Sequence, residues 1–106
     1  MTKYERAAQF WSVLVLAART QQVLSYDIVG RLTGIPRQGV GEFLGPIQDY
    51  CKRNDLPPLT SLVVNEETGL PGVGFTEATD IFGAQARAFV YDWFRRETPS
   101  PEDFKT

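Results

Sequence analysis

The chain has 106 residues, 42% of them hydrophobic and 23% charged, with a net charge of −2 at pH 7. That suits one domain with one modest core and is too short for two. There is no histidine and one cysteine, which excludes an internal disulfide and a Cys/His zinc site and removes the commonest general base.

The predicted elements begin with a helix from Lys3 to Thr20. Thr2 precedes it as a cap and Glu5 follows three residues later, the spacing of a capping box. Tyr4, Ala7, Ala8, Trp11, Leu14, Val15 and Ala18 fall on one face, at i, i+3, i+4 intervals. Phe10, Val13 and Ala17 widen that stripe, so this helix is expected at the centre of the core. The charged opening Lys3, Glu5, Arg6 is unlike a secretory leader, and no apolar run approaches the ~20 residues of a membrane helix. A cytoplasmic setting is the simple expectation.

Ser25 is placed to cap a second helix, Tyr26 to Thr33, with Ile28, Val29 and Leu32 as its apolar face and Gly34 to end it. Pro36 suits the first turn of a third helix, which runs to Arg53 through Val40, Phe43, Leu44, Ile47 and Tyr50 or Cys51. Pro46 removes one backbone donor and crowds the carbonyl of Glu42, so a kink, or a break at Gly45, is expected there.

Leu59 to Val64 reads as a strand, Asn65 to Gly69 as a hairpin turn, and Leu70 to Phe75 as a returning edge segment weakened by Pro71, Gly72 and Gly74. Thr79 would cap a last helix, Asp80 to Arg96, with Phe82, Ala86, Phe89, Val90 and Trp93 as its buried stripe. The segment Glu97 to Thr106 reads as a flexible tail. The expected fold is mainly α with a small β-hairpin: a winged helix-turn-helix flanked by N- and C-terminal helices, in a single domain over residues 1–96. Trp11, Leu14, Phe43, Phe89 and Trp93 should share its core.

Charge is split along the chain. Residues 1–53 carry seven basic and four acidic groups, and residues 54–106 carry four basic and nine acidic ones. The basic half holds the helix-turn-helix pattern. Carboxylate pairs such as Glu66-Glu67 fall in a turn and Glu102-Asp103 in the tail, where solvated charge explains them. Cys51 sits on an apolar face as a small hydrophobe. No catalytic residue, cofactor or metal ligand is expected.

The outer face of the third helix is the candidate contact surface. Arg37 and Gln38 stand at its start, where helix-turn-helix proteins read base edges. Arg31, Gln48, Lys52 and Arg53 would contact phosphate. Gly41 and Gly45, four residues apart, bare the backbone for a close partner, or for another part of this fold. Asn65 and Thr68 belong to the wing and would join them in docking a protein. Acidic Glu42, Asp49, Glu66 and Glu67 oppose DNA and favour that second use.

Val23-Leu24-Ser25-Tyr26, Gly39-Val40-Gly41 with Leu44, and Pro57-Pro58 with Val63-Val64 and Gly69 resemble the winged-helix DNA-binding module of the O6-alkylguanine-DNA alkyltransferase and alkyltransferase-like superfamily. Where that family carries Pro-Cys-His-Arg, this chain has Leu59-Thr60-Ser61-Leu62, and Gly45 to Leu56 reads as an insertion. The resemblance covers about half the chain. It implies a winged-helix fold and does not imply alkyl transfer. The run Leu56 to Asn65, with Thr68-Gly69-Leu70-Pro71-Gly72 and Phe75, also resembles a module of bacterial and phage restriction or defence proteins. The expected function is a non-enzymatic duplex-DNA-binding regulator or accessory factor, or alternatively a protein-interaction module in such a system, as a monomer or homodimer.

Overall fold

Helix α1 spans Lys3–Arg19 in the computed structural model, which describes residues 1–105. The expected capping box forms: the Glu5 amide donates to Thr2 Oγ1 at 3.1 Å, and the Thr2 amide to Glu5 Oε1 at 3.0 Å. Seven residues of α1, from Ala7 to Ala18, are buried. The helix is the hub of the core, packing on every other helix and on the C-terminal segment.

A two-residue strand β1 (Leu24–Ser25) leads into α2 (Tyr26–Thr33). Ser25 Oγ accepts the Ile28 amide at 3.1 Å, and Gly34 closes the helix in the left-handed region at φ 76°, a conformation that costs glycine least. The buried face of α2 is Val29, Gly30 and Thr33; Ile28 and Leu32 are exposed. The helix is turned from the expected face because Gly30 lies directly against the Ile35 carbonyl, where a side chain would collide.

After Pro36 comes a single 3-10 turn (Arg37–Gly39), then α3 (Val40–Arg53). Pro46 lies inside α3 without breaking it. Its ring is buried, so packing offsets the one lost hydrogen bond.

The expected hairpin does not form. Leu59–Leu62 is a 3-10 turn, anchored where the Ser61 amide and hydroxyl both donate to the Pro58 carbonyl. β2 is only Val63–Val64, and it pairs in parallel with β1, Leu24 opposite Val63 and Ser25 opposite Val64. Both β2 residues are buried, as a parallel strand requires. The Asn65–Gly69 turn does close, with Gly69 at φ 69° and the Asn65 amide donating to the Leu70 carbonyl. Pro71 has no amide to extend a ladder, and Gly72 to Phe75 peel away towards α3.

α4 is shorter than expected, Ile81–Val90, and is capped by Asp80 rather than Thr79. It buries Ala84, Gln85 and Ala88, while Phe82 and Val90 are exposed. Gln85 fixes that rotation, because its Nε2 donates to the buried Ser61 carbonyl at 2.9 Å. Trp93 lies beyond the helix and still reaches the core, with its indole donating to the Ala88 carbonyl and its ring 5.5 Å from Trp11. Trp11, Leu14 and Trp93 share the expected core, and Phe43 and Phe89 pack against it half-buried. The segment expected as a flexible tail is docked: Phe104 is 1% exposed, against Trp11 and Tyr50. Thr106, the last residue of that expectation, lies outside the described residues.

The chain is thus mainly helical, with a two-stranded parallel sheet. Among the described residues no helix is long and apolar enough to cross a membrane.

Candidate functional site: a glycine-walled groove on α3

The 3-10 turn and the first half of α3 form one wall of a groove of about 290 Å³. Arg37 and Gln38 stand at its rim, and Gly41, Leu44, Gly45 and Gln48 run along the wall. A Cβ at Gly41 or Gly45 would meet no atom within 4 Å. Among the described residues nothing would crowd a Cβ at either glycine, so this line of the wall is open.

The opposite wall is the segment Gly72 to Phe75, with Tyr26 at its base. Its place is set by three anchors. The Gly72 amide donates to the Tyr26 hydroxyl at 2.9 Å; a Cβ at 72 would come within 2.7 Å of that oxygen, so a side chain there would push the Tyr26 hydroxyl aside. Gln48 grips the segment twice: its Nε2 donates to the Gly74 carbonyl at 3.2 Å, and its Oε1 accepts the Thr76 amide at 2.9 Å. Lys52 Nζ donates to Thr76 Oγ1 at 3.0 Å.

At the floor lies Thr60, 5% exposed, whose Oγ1 is buried and has no hydrogen-bond partner. A buried hydroxyl without a partner costs free energy.

The six residues expected at a DNA surface do not act together. Arg37 and Gln38 are exposed at the rim, as expected. Gln48 and Lys52 are engaged with the facing segment. Arg53 donates to the Asp103 carbonyl at 2.9 Å and lines a separate polar cleft with Tyr50 and Arg96. Arg31 is on α2, ion-paired to Asp27 at 2.9 Å. Of the four docking candidates, Gly41 and Gly45 line the groove. Asn65 and Thr68 are used inside their own turn: Asn65 Oδ1 accepts the Glu67 amide, and Thr68 Oγ1 accepts the Leu70 amide. Arg37 shares a shallow cleft with Asp27, Glu66 and Glu67, so its local field is more acidic than the helix-turn-helix pattern implies.

Sequence reasoning missed Tyr26, Thr60, Gly72 and Phe75. Tyr26 directly after a capping serine, and a Pro-Gly step returning from a turn, were the available signals. Cys51 is fully buried, and burial pushes its thiol up to about 12, so it stays a protonated core group. Among the described residues no cluster of three or more His, Cys, Asp or Glu side chains could hold a metal ion.

Comparison with known proteins returned no match: no family model, no curated protein and no solved structure aligns with the chain.

Proposed function

We propose that this chain is a non-enzymatic DNA-binding module that offers the start of α3 to duplex DNA and receives one unstacked base in the groove. The observation that carries this reading is the open glycine-walled groove on α3, with Tyr26 and Phe75 among its lining. The groove is small for a drug-sized ligand and fits a single planar ring. Tyr26 and Phe75 supply aromatic surface, the usual means of holding an extruded base. Arg37 and Gln38 at the rim have the side chains that contact guanine and adenine edges. Thr60 occupies the position where the family it resembles carries cysteine, so the base would be held and not altered.

The test is fluorescence anisotropy with short duplexes, fully paired or bearing one mismatch, at low and moderate salt. The mismatched duplex should bind about tenfold more tightly, since its base costs less to unstack. Arg37→Ala should weaken both. Absence of binding at low salt, where phosphate contacts are strongest, refutes the proposal.

One observation favours a protein partner in the same groove, namely the acidic flank of Asp27, Glu66 and Glu67 beside Arg37. The two readings predict opposite signs. Neutralising the turn with Glu66→Gln and Glu67→Gln should strengthen DNA binding at low salt. It should weaken capture of a basic protein segment.

A further inference from the structure

The wall formed by Gly72 to Thr76 is a strap rather than a packed element. It has no helix or strand hydrogen bonds, and the bonds that hold it across to α2 and α3 come from three side chains, Tyr26, Gln48 and Lys52. The next residue, Glu77, turns inward. One of its carboxylate oxygens, Oε1, is buried without a hydrogen-bond partner, in a cleft it shares with Cys51, Lys52, Asp55 and Arg87.

We propose that Gly72 to Thr76 opens and shuts over the groove, and that the charge on Glu77 decides which. This deepens the reading of the groove as the ligand site and rests on it. A protonated Glu77 loses little by lying in its seat. An ionised one leaves a buried oxygen unsolvated, and turning out to water draws Thr76 off Gln48 and Lys52.

The groups facing Glu77 set the balance. On α3, Lys52 favours the carboxylate and Asp49 opposes it. Arg87 of α4 and Asp55 of the loop after α3 line the same cleft, and the buried Cys51 thiol stays neutral. Burial is the largest influence, and the Glu77 carboxyl is pushed up to about 7 from 4.5. Because the shut state has the raised value, it binds the proton more tightly. Shutting is therefore unopposed below 4.5, grows less favourable as pH climbs from there through about 7, and changes no further above that. A shift of this size would change the shut-to-open ratio some hundredfold if undiluted. Glu77 is only half-buried, and solvent screening reduces this to roughly tenfold.

The experiment is NMR on the whole chain without ligand. The Glu77 carboxyl is titrated, and the exchange protection of the Gly72 and Thr76 amides, corrected for intrinsic base catalysis, is followed from pH 5 to pH 8. Protection should fall about tenfold in the wild type and stay flat in Glu77→Gln, which is neutral at every pH. Equal pH dependence in both proteins overturns the proposal, as does a Glu77 carboxyl titrating near 4.5. The second of these needs no variant to fold. A parallel arm measures mismatched-duplex binding over the same pH range. Strap opening without DNA binding would overturn the ligand assignment and leave the gate standing. DNA binding with no change in strap protection would do the reverse.

Discussion

Gly41 and Gly45 offer a direct way to separate function from stability. Glycine in a helix costs roughly 0.5–1 kcal/mol relative to alanine, and neither position would bring a Cβ within 4 Å of another atom. Gly41 is the second residue of α3, where backbone order is least costly, so Gly41→Ala should stabilise by about 0.5 kcal/mol, the lower end of that range. In a domain this size that raises Tm by about 2–4 °C. Gly45 precedes Pro46, whose ring disfavours helical geometry for a preceding residue with a side chain. Gly45→Ala should therefore be close to neutral. Urea denaturation with matched m-values measures both. Gly41→Glu, which projects a long charged chain into the groove, should fold normally and abolish ligand binding. A loss of more than about 1 kcal/mol in Gly41→Ala would refute this reasoning, because it would mean that the glycine packs against something. Unimpaired binding by Gly41→Glu would refute the groove.

Two further outcomes test the core. Phe104→Ala should destabilise by ~3–5 kcal/mol, the cost of deleting a large buried aromatic, since its ring lies 5.4 Å from Tyr50 and 6.0 Å from Trp11; a loss under about 1 kcal/mol in urea would mean that the C-terminal segment is not docked. Cys51 should resist a thiol reagent at pH 8 in the native protein and react at once in denaturant, because burial holds the thiol up to about 12; fast labelling of the native chain would show the seat of Cys51 to be open.

The helices were legible where a local rule decides them. Thr2 with Glu5, and Ser25 before α2, are short-range capping signals, and the structure uses both. The faces of α2 and α4 were not legible, because each is fixed by a contact distant in sequence or by backbone shape. Gly30 against the Ile35 carbonyl turns α2, and Gln85 reaching the Ser61 carbonyl turns α4. Both override hydrophobic periodicity, leaving Ile28, Leu32, Phe82 and Val90 exposed. The strand at Val63–Val64 was read correctly as extended and wrongly paired. Turn chemistry at Asn65–Gly69 suggests an antiparallel partner, whereas the partner used lies some forty residues earlier.

The site was half legible for a related reason. Arg37, Gln38, Gly41 and Gly45 lie on one helix, and helical spacing alone gathers them on one side. The facing wall comes from Gly72 to Phe75, and no periodicity links it to α3. The link is made by Gln48 and Lys52, which the charge pattern assigned to phosphate. A polar side chain on an outward helix face is equally available to solvent, to a partner or to a passing loop, and composition cannot choose among them. Here the loop takes two of the six candidate DNA contacts, the Asp103 carbonyl takes a third and Asp27 a fourth. Only Arg37 and Gln38 are left free at the rim. With so few cations available, phosphate attraction is weak. On the proposed reading, affinity for DNA would come mainly from what enters the groove, and it would follow the opening of the strap.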